Sequence, residues 1–104
     1  MGSAARRRPE RLAQKLRVIR VGLGLSQNGM IRKMGLQDEL SQAEISMFES
    51  GTRVPSLPVL LEYSRSANVF VEALIDDSLD LPEKLPSAKK NEGIRRSHVP
   101  KQKK

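Results

Sequence analysis

Residues 40–56 read LSQAEISMFESGTRVPS, a stretch that carries its own start and stop signals. Ser41 and Glu44 make the S-x-x-E pair of a capping box, in which a hydroxyl and a carboxylate satisfy open amides at a helix start. Gly51 supplies a residue that leaves a helix easily through the left-handed conformation. The spacing predicts a helix over 41–50. With Ile45 as origin and about 100° per residue, Phe48 falls near 300°, and the two define the buried side. Ala43, Ser46, Met47 and Ser50 then lie between about 100° and 200°, away from the core, and Glu49 lies beside it at about 40°. A helix face that meets only water ordinarily carries Lys, Glu and Arg. This one carries small or weakly polar side chains, which let a helix come close to another surface.

Four further segments share the helical period, and no run alternates as a strand would. The first is expected over Pro9 to Val21, with Leu12, Leu16 and Ile19 inward and Pro9 in the first turn, where its missing N–H is no loss. The second opens on Ser26 as N-cap and ends at Met34 before Gly35, with Met30, Ile31 and Met34 inward. The fourth runs from Ser56 to Ala67, with Pro58 in its first turn and Asn68 as a left-handed stop. The fifth is short, about Val71 to Asp76. Between the second and third helices lies GLQDEL (35–40). There Leu36 and Leu40 are expected to turn inward, with Gln37, Asp38 and Glu39 outward. An all-α domain of five short helices follows from these residues alone.

At 104 residues there is room for one small core, built mostly from aliphatic side chains because Phe48, Tyr63 and Phe70 are the only aromatics. Without cysteine there is neither a disulfide framework nor a thiolate metal site, and the single histidine, His98, sits in a polar tail. No apolar run reaches the roughly 18 residues a membrane span needs, and no apolar stretch of signal-peptide length follows the basic start. A soluble, cytoplasmic protein without a membrane partner is therefore expected. The net charge of +7 is unevenly spread: residues 1–8 carry +3, residues 82–104 carry +6, and residues 9–81 carry −2. Two basic arms thus flank a slightly acidic body. Their composition predicts disorder at 1–8 and 82–104, around a folded domain at 9–81. Such arms suit a polyanion.

The pieces GLSQNGMIRKMG, ISMFESGTRVPSL and LLEYSRSANVFVEALI, in that order, resemble the Cro/cI-like (xenobiotic-response-element-like) helix-turn-helix family of bacterial regulators. The likeness covers about residues 12–76. It implies a phage-repressor-like domain whose second and third helices form the DNA-binding pair, with the third lying in the major groove of double-stranded DNA. Carried over by position, Ser41, Gln42, Ala43, Ser46 and Met47 become base-edge residues. Gln42 is the foremost, since a carboxamide can pair with both acceptor and donor of adenine. Gln27 and Asn28, at the start of the second helix, and Thr52 and Arg53, beyond the third, become phosphate contacts. Arg20 and Glu49 match a family ion pair joining the first helix to the third. The chain departs from the family in the longer 36–40 connection, and in Ile31 where a small residue is usual.

Plainer roles stand beside these. Glu44 is accounted for by its cap, although a carboxylate can also accept from cytosine. Met30 and Met34 read as core, and Tyr63 as a packing residue. The expected function is a sequence-specific DNA-binding transcription regulator located with the nucleoid, a homodimer on its site, with no cofactor. The alternative is an antitoxin-like or adaptor protein of the same fold that acts through a protein partner. Nothing in the residue pattern suggests an enzyme.

Overall fold

Leu12, Leu16 and Ile19 repeat along one side of the first helix, and in the computed structural model, which describes residues 8–86, that side is buried. The five helices are α1 (Leu12–Gly22), α2 (Gln27–Met34), α3 (Gln42–Ser50), α4 (Leu57–Ala67) and α5 (Val71–Ile75). No strand occurs among the described residues. Most of the basic arm at 1–8 and of the tail at 82–104 lies outside the described residues.

Local chemistry sets half of the helix ends. The Ser26 hydroxyl accepts from the Gly29 amide at 2.9 Å, and Gly35 leaves α2 at φ 73°. Gly51 leaves α3 at φ 83°, and Asn68 leaves α4 at φ 59°, a conformation that asparagine tolerates better than most residues. The first helix differs from expectation. It starts at Leu12, not at Pro9, and the Glu10 and Arg11 amides ahead of it donate to the Asp77 carboxylate at 2.9 and 3.0 Å. A side chain 66 residues away does there what a local cap would otherwise do.

The core joins all five helices. Ile19, Met30, Ile45, Tyr63 and Leu74 are each fully enclosed, one from each helix in turn. α1 packs against α3, α4 and α5, and α2 against α3 and α4. Two elements bind the start of α1 to the exit of α5. Lys15 is 3% exposed, and its ammonium donates to the carbonyls of Ala73 (2.8 Å), Asp76 (3.0 Å) and Leu79 (2.8 Å). Burial, with the Arg11 charge adding to it, pushes that ammonium below the ordinary lysine range. Arg11 donates to the Asp77 carbonyl at 2.8 Å and to Asp80 at 2.6 Å.

Past α5 the packed body runs further than residue 81. Leu81 and Leu85 lie against the core, and the Pro86 carbonyl accepts from the Asn68 side-chain Nδ2 at 3.4 Å. Residues 82–86, at the head of the basic segment, return toward α1. Leu85 comes to rest where a Cβ on Gly22 would meet it at 3.4 Å. The two leucines, four residues apart, provide the apolar anchor that the charged composition of the tail conceals.

Candidate nucleic-acid interface

The α3 helix is held from beneath and capped at its start. Ile45 and Phe48 are 0% and 4% exposed, and their burial fixes the helix to the core with roughly 3–6 kcal/mol of transfer free energy. Ser41 accepts from the Glu44 amide at 3.3 Å, and Glu44 accepts from the Ser41 amide at 3.0 Å, which closes the capping box. Ser41, Gln42, Ala43 and Ser46 are exposed, and Met47 is half-buried. These five side chains form the outer surface of one short helix, without a charge among them.

The direction of that surface is set by a chain of hydrogen bonds that begins in α1. Arg20 grips Glu49 with two bonds, Nε to Oε2 at 2.7 Å and Nη2 to Oε1 at 3.0 Å, and its Nη1 donates to the Leu25 carbonyl at 2.9 Å. Both side chains are largely enclosed, at 15% and 6% exposure. The bond from Glu49 holds Arg20 above its already high value. Gln27 donates to Glu49 at 3.4 Å and accepts from Gln42 at 3.2 Å. The carboxamide of Gln42 is thus tied to α1 through α2 and the far end of its own helix. Its oxygen and second N–H have no protein partner among the described residues. A donor and an acceptor side by side on a planar group, already oriented, can match an adenine edge.

The Gln27 side chain has both ends engaged by protein groups, Glu49 and Gln42. What the start of α2 offers outward is backbone: the amides of Gln27 and Asn28 have no partner among the described residues, and such amides attract anions. Asn28 is exposed. Thr52 and Arg53 are exposed beyond α3, with the Thr52 hydroxyl 2.9 Å from that of Ser50. Arg53 donates from Nη1 to Glu44 Oε2 at 3.2 Å. In the 36–40 connection Leu36 and Leu40 are half-buried against the core, while Gln37, Asp38 and Glu39 are exposed.

Two features of this region escape the sequence. The link between Gln27 and Gln42, 15 residues apart, follows no local period. The Glu44–Arg53 pair is likewise hidden, since nine residues separate its members and a turn intervenes. Two clefts lie away from the exposed side chains of α3. One of about 230 Å³ is lined by Leu12, Phe48, Arg53 and Val54, and a shallow one of about 580 Å³ by Pro9, Ile75 and Asp77. Among the described residues no group of three or more carboxylates, histidines or cysteines is gathered so as to hold a metal ion. No described helix is long and apolar enough to cross a membrane. Comparisons with protein-family models, curated proteins and solved structures returned no match for this chain.

Proposed function

We propose that the protein is a sequence-specific, double-stranded DNA-binding regulator of the helix-turn-helix type, reading the major groove with α3. The observation that carries this reading is the α3 face itself. Ser41, Gln42, Ala43 and Ser46 stand exposed and uncharged on a helix whose other side is buried, and Gln42 is oriented by a hydrogen-bond chain rooted in Arg20. In the proposed complex the open amides of Gln27 and Asn28, with Thr52 and Arg53, meet phosphates on either side of the helix and fix its register. Gln42, Ala43, Ser46 and Met47 then specify the site. The basic residues at 1–8 and 82–104 add a sequence-independent pull, each phosphate neutralised steepening the log–log salt dependence by about 0.9.

The test is selection from a random duplex library at moderate salt, with wild type and Gln42→Ala in parallel. A motif that loses one adenine preference in the variant supports direct readout by α3. Salt-sensitive binding with no motif in either protein refutes it and leaves the basic arms as the binder.

A second reading, an antitoxin-like or adaptor protein acting mainly through a protein partner, is favoured by a different surface. Leu57 is 80% exposed, Leu61 follows it four residues later at 41%, and Val54 stands just before at 41%. A stoichiometric complex with a defined protein that is lost in Leu57→Asp, together with no selected motif, favours this reading over the first.

A further inference from the structure

The Glu44 carboxylate sits in the first turn of α3, on the side of the molecule proposed to meet a polyanion, where a negative charge costs affinity. Its capping role does not require that charge, because glutamine serves the same position of a capping box. The charge has a different partner. The exit from α3 folds back on the helix, the Thr52 and Arg53 amides both donating to the Met47 carbonyl at 3.0 and 3.2 Å after the left-handed Gly51. This reversal returns the Arg53 guanidinium to Glu44, whose Oε2 accepts it at 3.2 Å while Oε1 holds the Ser41 amide at 3.0 Å. The side chains are 53% and 29% exposed, so the pair is a surface ion pair and contributes little to folding.

We infer that Glu44 is a positioning residue for specificity, acting through Arg53, an inference that rests on the DNA-reading function proposed above. Bonded to Glu44 through Nη1, the Arg53 guanidinium is kept near the start of α3, and its charge is partly cancelled until a correctly placed phosphate competes for it. On an arbitrary duplex, with α3 out of register, the carboxylate keeps its partner and the protein gains little. On the right site the phosphate takes over the guanidinium without a search through rotamers, which lowers the ordering cost of the contact. Asp38 and Glu39, exposed in the turn before α3, have no such cation beside them among the described residues and remain outside this device.

The experiment is a double-mutant cycle of Glu44→Gln and Arg53→Ala in the full chain. Binding is measured to the selected duplex and to an unrelated duplex across a salt series, with thermal unfolding of each variant alongside. Glu44→Gln is expected to keep the cap and the unfolding midpoint. It should tighten binding to the unrelated duplex severalfold and steepen its salt dependence by up to about one unit, as Arg53 is freed. The ratio of specific to non-specific binding should then fall, by no more than the severalfold gain on the unrelated duplex, and Arg53→Ala should abolish that fall. A ratio unchanged by Glu44→Gln, or one that falls equally with and without Arg53, overturns the inference while leaving readout by α3 intact. Selection that returns no motif removes both together.

Discussion

Lys15→Met tests how the two ends of the domain are joined. The variant keeps the buried stem and removes the ammonium, whose three hydrogens all go to carbonyls at or beyond the end of α5. Two of these acceptors, on Ala73 and Asp76, belong to the helix end that an α-helix leaves open, where a cation is also favoured by the helix dipole. A hydrogen bond involving a charged group contributes about 1.5–3 kcal/mol net. Three such bonds would sum to far more than the clamp provides, because withdrawing an ammonium from water costs several kcal/mol in return. What the variant loses is the difference, together with the exposure of carbonyls that water reaches poorly, and we expect about 3 kcal/mol. A domain of this size holds on the order of 5–10 kcal/mol in all. Urea unfolding should therefore show the midpoint falling by about 2 M at an m-value near 1.5 kcal/mol/M. A lower m-value in the variant would indicate that α5 and residues 76–80 have already come away in the native state. A loss below about 0.5 kcal/mol would refute the reasoning, since the carbonyls would then be as well served by water as by Lys15.

Three other expectations follow from buried or bonded charges. Arg20→Met leaves the Glu49 carboxylate enclosed with only Gln27 to serve it, so a destabilisation of about 3–5 kcal/mol is expected in the same urea assay; recovery of part of it by adding Glu49→Met would separate the orphaned charge from lost packing. Tyr63 is fully buried and its hydroxyl has no partner among the described residues, with burial raising its pKa. Tyr63→Phe should therefore be neutral or stabilising by about 1 kcal/mol, and a clear loss in thermal unfolding would mean that the hydroxyl is bonded in solution. Asp76 is held below the ordinary carboxylate value of 3.8 by the Ser78 hydroxyl and amide, and Asp77 by the Glu10 and Arg11 amides. A depressed folded pKa means that the unfolded chain takes up protons first. The stability these groups add is thus complete above the unfolded value and lost as pH falls from about 5 toward their folded values. Asp77→Asn should flatten that acid limb of the urea midpoint, and an unchanged limb would count against the long-range cap.

What the sequence displayed well is what depends on neighbours in the chain. Ser41 with Glu44, Ser26 with Gly29, and the stops at Gly35, Gly51 and Asn68 are closed by residues within a turn of one another, so spacing alone reveals them. The apolar repeat placed Leu12, Leu16, Ile19, Ile45 and Phe48 inward for the same reason. The start of α1 obeyed another rule. Proline in a first turn is a sound local preference, but the residues ahead of Leu12 are held by a partner far along the chain, the Asp77 carboxylate. Lys15 lies three residues after Leu12 and four before Ile19, on the buried side of the period. Its residue type argued for water, and only the α5 carbonyls, 58 residues on, explain why an ammonium is there.

The same division runs through the candidate site. The uncharged face of α3 was legible because it is a property of one helix. The orientation of Gln42 was not, because it depends on Gln27, Glu49 and Arg20 from three helices. This bears on the long 36–40 connection. If that connection aimed α3, its extra residues would displace the reading face. The direction of α3 is instead set from below, by Ile45, Phe48 and the grip of Arg20 on Glu49, and the connection is pinned by Leu36 and Leu40. Its extra length emerges as Gln37, Asp38 and Glu39 at the surface. On the proposed reading these side chains border the DNA-facing helix without redirecting it. Two acidic groups on that border repel phosphate, so in the proposed complex the DNA backbone is expected to pass closer to the amides of α2 and to Arg53 than to Asp38 and Glu39.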